Sequence, residues 1–161
     1  MSAREAAADA SRRLAAAGVE DARFEAELLA REAAGISRAE YFAGSVLDAE
    51  ESARFAAWVT RREQREPAAY ITGHREFYGR DFGVGAGVLI PRPETELLVD
   101  LGVQELDRDP AAIVVEAGTG SGAVAVSIAA ERPAARVIAT EVSGDAMRFA
   151  RANAAALAPH T

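Results

Sequence analysis

The sequence predicts an α/β fold: a small N-terminal helical bundle, a β-hairpin connector, and a parallel sheet with helices on its faces. Helix-forming residues separated by glycines fill residues 1–72. From residue 93 onward, helical and β-branched segments alternate in an α-β-α-β-α series, which is typical of parallel sheets covered by helices. The predicted domains are therefore a helical domain at 1–73, a connector at 74–90 and a sheet domain at 91–161.

The helical domain is punctuated by glycines and capping residues. Its predicted helices cover residues 2–17, 20–34, 38–43 and 49–65. The first three end at glycines, which commonly take the left-handed position that follows a helix. Asp48 and Glu51 have the spacing of a capping box at the start of the fourth helix. The basic stretch Arg61–Arg65 ends that helix, where it is either a solvated terminus or a docking surface for a partner.

A stiff segment follows the predicted hairpin. Pro91 and Pro93 hold Arg92 in an extended conformation, because each proline fixes its own φ and restrains the residue before it. Pro93 also suits the first turn of the next predicted helix. The simpler interpretation is a rigid helix entrance. The alternative is a role in a site, because so rigid a segment also displays Arg92, Thr95 and Glu96.

The glycine-rich turn at residues 118–122 organises the sheet domain. A β-branched run ending before Glu116 predicts a strand buried on both faces, and Gly118, Gly120 and Gly122 lead directly into a helix at 122–131. Glycines permit backbone angles and close approaches that a Cβ forbids, and a helix N-terminus offers unpaired N–H groups. A tight turn without a ligand, a dinucleotide site and another nucleotide-like cofactor site all remain compatible with the turn alone.

An acidic residue ends the second predicted strand, residues 136–140. Glu141 follows Gly122 by 19 residues, where an acid can accept hydrogen bonds from both ribose hydroxyls of a nucleotide-like cofactor. The alternative is a solvated carboxylate at a strand end. Because ligands of parallel sheets bind at the carboxyl ends of the strands, the turn and Glu141 are expected to meet, which favours a nucleoside site.

Composition excludes several classes of protein. The net charge of −7 gives no support for nucleic-acid binding through phosphate neutralisation. The absence of cysteine excludes a disulfide framework, a thiolate nucleophile and a cysteine-zinc site. The two histidines, His74 and His160, are too few and too isolated to predict a metal centre. With no membrane-length apolar run and no signal-peptide pattern, a soluble cytoplasmic protein without membrane contact is expected.

Four stretches together resemble one family. EPAAYITGHREFYGRDF, VLIPRPETELLV, EAGTGSGAVAVSIA and ATEVSGDAMRFARANA are similar to the HemK/PrmC protein-(glutamine-N5) methyltransferases, which modify the glutamine of the Gly-Gly-Gln motif in peptide-chain release factors. The proline-rich stretch is the more specific, since most Rossmann-like methyltransferases share the glycine turn. The resemblance implies that the sheet domain begins a Rossmann-like class I methyltransferase domain. It also implies that the helical domain recognises the substrate and that the protein is a monomer.

The resemblance implies S-adenosylmethionine (SAM) as the cofactor and no metal. Its implied cofactor-binding residues are Glu116, Gly118, Thr119, Gly120, Ser121, Gly122 and Glu141. Its implied cleft-lining residues are Arg92, Pro93, Glu94, Thr95 and Glu96. Glu116 would orient the amino group of the donor and Glu141 would hold the ribose, each in place of the aspartate more frequent in the family.

One signature of the family does not occur in this sequence. The substrate-amide motif Asn-Pro-Pro-Tyr is missing, so no catalytic residue is assigned within the chain. The chain is therefore expected to be an N-terminal fragment that is inactive by itself. Three other interpretations stay open: another class I SAM-dependent amino-methyltransferase acting on nucleic acid, a non-catalytic binding module, and a nicotinamide dehydrogenase.

Overall fold

A computed structural model of the protein describes residues 1–159, which divide into two compact units. The first unit is Met1–Thr72 and the second begins at Gly73. The first is helical, whereas the second combines helices with two small sheets. The predicted combination of a helical N-terminal region with a mixed helix-and-strand region is confirmed at this level. His160 lies outside the described residues.

The helical unit contains α1 (Ala3–Ala16), α2 (Ala22–Ala34), α3 (Arg38–Ala43), α4 (Ala49–Glu63) and α5 (Ala68–Thr72). Capping boxes begin α1, α3 and α4, and each pairs an N-cap side chain with a glutamate three residues later. Gly35 and Gly44, with φ of 63° and 94°, end α2 and α3 in the left-handed conformation. The helix ends therefore follow from local capping chemistry.

Small side chains let the helices of this unit approach closely. Leu14 of α1 and Leu29 of α2 are fully buried among alanines, and Phe55 and Val59 of α4 complete the core. Phe24, by contrast, is 63% exposed.

At the end of α4, Arg61 and Arg62 of the basic stretch pair with carboxylates of the same unit. Arg61 makes two hydrogen bonds of 2.7 and 2.6 Å to Glu66, and Arg62 forms a partly buried pair with Glu25. These arginines hold the unit together internally.

The second unit follows the predicted element order. It contains β1 (His74–Phe77), β2 (Arg80–Gly83), a 3₁₀ turn at Pro93–Thr95, α6 (Glu96–Arg108), β3 (Ile113–Ala117), α7 (Ala123–Glu131), β4 (Arg136–Thr140) and α8 (Gly144–Leu157). β1 and β2 form an antiparallel hairpin, and β3 and β4 form a parallel pair in which Ile113 lies opposite Arg136.

The hairpin turns through two residues, Tyr78 and Gly79, which have φ of 52° and 69°. Positive φ at both positions is what a type I′ turn requires. The tip is fixed to α6, since the backbone N–H of Tyr78 donates to Glu96 Oε1 at 2.9 Å and its hydroxyl donates to Asp100 Oδ1 at 2.8 Å.

The parallel strand pair is covered on one face only. Val114 and Val137 pack against the core that α6, α7 and α8 build. On the other face, Ile113, Val115 and Ile138 are 50%, 67% and 39% exposed. The prediction that β3 is buried on both faces is therefore wrong for the described chain, because the described residues cover only one face of the strand pair. Among residues 1–159, no helix is both long and apolar enough to cross a membrane.

Candidate functional site

The glycine turn connects β3 to α7 and presents open backbone on one side. Gly118, Gly120 and Gly122 all have positive φ, of 75°, 59° and 83°, which L-residues with a Cβ adopt only at a cost. A Cβ at Gly122 would lie 3.3 Å from Ala150 Cα, whereas a Cβ at Gly118 or Gly120 would meet nothing within 4 Å. The first two glycines therefore border free space, and the third allows α8 to pack closely.

Glu141 holds the turn from the end of β4. Its Oε2 accepts from the N–H of Gly120 at 2.9 Å, and its Oε1 accepts from the N–H groups of Val142 and Ser143 at 2.8 and 2.9 Å. These backbone donors, led by Ser143 and Gly120, lower the pKa of Glu141, so the carboxylate is ionised at neutral pH. The predicted meeting of the turn and Glu141 occurs through direct hydrogen bonds.

Glu116 lies within β3 and turns its carboxylate toward the start of α7. Its Oε2 accepts from Thr119 Oγ1 at 2.6 Å and from the N–H of Ala125 at 3.1 Å. Burial raises the pKa of Glu116, and these two hydrogen bonds only partly oppose that effect. Its Oε1 accepts no hydrogen bond from the residues that the structure describes, so the site retains an acceptor oxygen beside the cavity.

One cavity of about 320 Å³ collects most of the predicted site residues. Its lining includes Arg92, Thr95, Glu116, Gly118, Thr119, Gly120, Ser121 and Glu141. Pro91, which the sequence places at the start of the stiff segment, also lines the cavity, as do Phe77, Gly87 and Leu89. Sequence reasoning assigned none of the last three to the site, because their placement depends on how the hairpin folds back.

Four predicted site residues do not line this cavity. Gly122 faces α8, and Pro93 begins the 3₁₀ turn. Glu94 is exposed, and Glu96 is engaged with the hairpin tip through Tyr78. Within the stiff segment, Arg92 and Thr95 therefore line the cavity, whereas Pro93, Glu94 and Glu96 do not.

A second cavity, of about 380 Å³, is larger but chemically plainer. It lies among α7, β4 and α8 and is lined mainly by alanine and valine, with Arg151 as its one charged lining residue among those described. It contains no carboxylate and none of the open glycines. Concave sites that orient a ligand need a few convergent polar groups, which only the smaller cavity offers.

Comparison with known proteins identifies relatives of both units. Residues 5–73 match the model of the PrmC N-terminal domain. A release factor glutamine methyltransferase of Koribacter versatilis is 43% identical over 159 residues, covering 98% of this chain and 57% of the relative. The predicted family resemblance is confirmed.

Two further relatives with the same name give a consistent picture. The protein of Burkholderia pseudomallei is 48% identical over 132 residues, which cover 81% of this chain and 46% of the relative. That of Moorella thermoacetica is 42% identical over 156 residues, which cover 96% and 55%. The chain spans about half the length of the curated relatives it matches.

Proposed function

We propose that this chain supplies the cofactor-binding part of a SAM-dependent methyltransferase that modifies the side-chain amide (N5) of glutamine in the Gly-Gly-Gln motif of release factors. The names of the relatives support the reaction and the substrate. The observation that carries the proposal is the pair of carboxylates on either side of an open glycine turn, in one cavity. The pKa of one is raised by burial and that of the other is lowered by backbone donors.

The residues around the cavity fit SAM. Gly118 and Gly120 leave room for a ligand against the backbone. Glu116 keeps Oε1 as an acceptor for the donor's ammonium group. A carboxylate has about four acceptor positions and Glu141 uses three, so it has one left, on Oε2, for a ribose hydroxyl. When bound, SAM supplies a methyl group on a positively charged sulfur.

The contribution of this chain to the reaction is orientation. An amide nitrogen is a weak nucleophile, and holding reacting groups in line supplies much of the rate in such transfers. In the proposal, Glu116 and Glu141 fix the two ends of the donor, while Arg92 and Thr95 border the side from which the substrate enters. Pro93 keeps that segment rigid, and Glu96 fixes it to the hairpin tip through Tyr78. No catalytic residue is proposed within this chain.

We further propose that the helical unit recognises the protein substrate. A groove of about 320 Å³ is lined by Arg4, Arg23 and Phe42, among others. Phe42 is 50% exposed, with the guanidinium of Arg4 5.8 Å from its ring centroid. Within residues 1–159, neither Arg4 nor Arg23 forms an ion pair with a carboxylate, so in this proposal both can pair with an acidic segment of a partner, although Glu27 lines the same groove.

The finer fold assignment belongs to the same proposal. The parallel pair β3–β4 with α7 between its strands is the arrangement with which a Rossmann-like sheet begins, which supports the start of a class I methyltransferase domain. We also propose a cytoplasmic location, which the sequence predicts, and a monomeric state, which the family resemblance implies. The acidic net charge disfavours a nucleic-acid substrate, because such binding depends on neutralising phosphates.

The test is calorimetric titration of the chain with S-adenosylhomocysteine, with NAD as competitor. Gly120→Val would place a branched side chain in the cavity, and we expect at least about a hundredfold loss of affinity, since the ligand must lie there. Gly44→Val is the matched control, because Gly44 also has positive φ and free space around it but ends α3 in the helical unit. Its affinity should equal that of the wild type.

Two outcomes contradict the proposal. If NAD displaces S-adenosylhomocysteine, or binds in its absence, the dinucleotide interpretation of the turn is correct. If Gly120→Val binds S-adenosylhomocysteine as well as the wild type, the cofactor lies elsewhere.

A further inference from the structure

Three glycines, one at the end of β2 and two just after it, lie against one face of α8. A Cβ at Gly83 would lie 3.2 Å from Asn153 Oδ1, at Gly85 2.9 Å from Phe149 Cζ, and at Gly87 2.9 Å from Asp145 Cβ. The three partners on α8 are four residues apart, and such residues share one helix face. We call residues 83–87 the glycine strap.

Asn153 is the polar contact at one end of the strap. Its Oδ1 accepts from the N–H of Gly83 at 2.8 Å, and its Nδ2 donates to the carbonyl of Gly83 at 3.0 Å. The same Nδ2 donates to the carbonyl of Ser121, in the glycine turn, at 2.8 Å. The side chain is 5% exposed, so these bonds form away from solvent.

These contacts connect the glycine turn with the strap. The glycine turn lines the cavity, and the strap reaches it through its last residue, Gly87. Asn153 does not line the cavity, but it bonds to Ser121, which does, and to Gly83, the first residue of the strap. We propose that Asn153 is a positioning residue that sets the separation of the strap from the glycine turn, and thereby the width of the cofactor cavity.

The chemistry of an amide suits this position. The three bonds need one acceptor and two donors in a fixed arrangement, which an asparagine side chain supplies. An alanine supplies none of them and leaves the polar groups of Gly83 and Ser121 unpaired in the interior. A glutamine carries the same groups one methylene further out and cannot reach both backbones from the same helix position. The role as stated rests on the proposed function, because the width matters only if the cavity binds a ligand.

The experiment compares Asn153→Ala with two other variants of the ligand-free chain by amide hydrogen exchange. Asn153→Ala should speed exchange about tenfold in both the strap and residues 118–122, because it releases both partners. Gly85→Ala, whose Cβ meets the ring of Phe149, should speed exchange in the strap alone. Leu106→Ala, which truncates a buried residue of α6 outside the cavity, should lower the stability of the unit without singling out either segment.

Binding supplies the second measurement. At a temperature where all variants are folded, Asn153→Ala should weaken S-adenosylhomocysteine binding about tenfold, and Leu106→Ala should leave the dissociation constant unchanged. If Asn153→Ala does not fold, Asn153→Gln takes its place with the same expectations.

The inference is overturned if Asn153→Ala speeds hydrogen exchange in only one of the two segments or in neither. It is also overturned if Asn153→Ala and Leu106→Ala bind S-adenosylhomocysteine equally well. A wild-type chain that fails to bind S-adenosylhomocysteine counts against the proposed function instead. In that case the exchange data still decide whether Asn153 couples the two segments.

Discussion

The two units bury their apolar side chains to different extents. In the helical unit, the inward faces of α1 and α2 close on each other through alanines around Leu14 and Leu29. In the second unit, Leu97, Leu98 and Leu101 of α6 and the outer face of β3–β4 remain exposed. Contiguous exposed apolar surface marks a place where other structure or a partner binds. The helical unit also exposes Phe24 and Phe42, but these lie on different helices, whereas the second unit exposes three leucines of one helix and one face of a strand pair.

Both units contain ion pairs between elements, such as Arg132–Asp107 in the second unit, but the second unit also has two carboxylates bound to the backbone around its glycine turn. In the helical unit, carboxylates pair with arginines across helices, as Glu63 does with Arg13 at 2.7 Å. In the second unit, Glu116 and Glu141 bind backbone N–H groups around a cavity. The first arrangement closes a fold, whereas the second holds acceptor oxygens in place for a ligand.

The largest expected effect tests whether the helical core is closed. Leu29→Ala removes a fully buried side chain from α2 and leaves a cavity that alanine neighbours are too small to fill. We expect a loss of about 2–5 kcal/mol in the free energy of unfolding, measured by urea denaturation with far-ultraviolet circular dichroism.

Phe24→Ala is the matched control on the same helix. Phe24 is 63% exposed, so its truncation should change the free energy of unfolding by at most about 0.5 kcal/mol. A cost close to that of Leu29→Ala would mean that this face of α2 is covered in solution, and the contrast between the units would fail.

The next prediction concerns the opposite effects of the two site carboxylates on how stability depends on pH. Burial raises the pKa of Glu116, so ionisation opposes folding, and stability falls as pH rises from the unfolded pKa through the folded one. Backbone donors lower the pKa of Glu141, so it stabilises the fold above its unfolded pKa, and this stability is lost as pH falls through the folded pKa. At pH 7, Glu116→Gln should raise the melting temperature and Glu141→Gln should lower it.

Thermal melts between pH 3 and 8 and calorimetry at pH 7 check this pair. The two variants should converge with the wild type at the acid end, where all the carboxyls are protonated. Both should weaken S-adenosylhomocysteine binding, by about tenfold each, because each loses a charged acceptor. If the melting temperatures of both variants shift in the same direction at pH 7, the two carboxylates do not have pKa values shifted in opposite directions, and this prediction is wrong.

Local chemistry made much of the fold predictable from the sequence. Gly35 and Gly44 end helices where a left-handed residue is needed, and the box at Asp48 begins α4. The meeting of the glycine turn with Glu141 was predictable too, because the carboxyl ends of parallel strands share an edge.

Contacts between distant segments were not predictable in the same way. Asn153 reads as an ordinary helical residue, and nothing near it indicates that Gly83 and Ser121 will be its partners. Glu96 looked like a residue of the cleft, but the fold uses its carboxylate to hold Tyr78. The prediction that both faces of β3 are buried failed for a related reason. A β-branched run shows that a strand is apolar on both faces, but it does not show whether other elements cover both of them.

The smallest expected effect tests that exposed face with two neighbouring valines of one strand. Val114 packs against the core of the second unit, while Val115 is 67% exposed on the opposite side. Threonine has nearly the shape of valine and a similar strand preference, so Val→Thr changes mainly the polarity at each position. Val115→Thr should alter the free energy of unfolding by at most about 0.5 kcal/mol, whereas Val114→Thr should cost about 1 kcal/mol, because it places a hydroxyl at a half-buried position against the core. Equal costs would show that the outer face is covered in solution.

Sedimentation of the wild type and of Val115→Thr at several concentrations would then determine whether a second copy covers it, since the threonine would weaken that association.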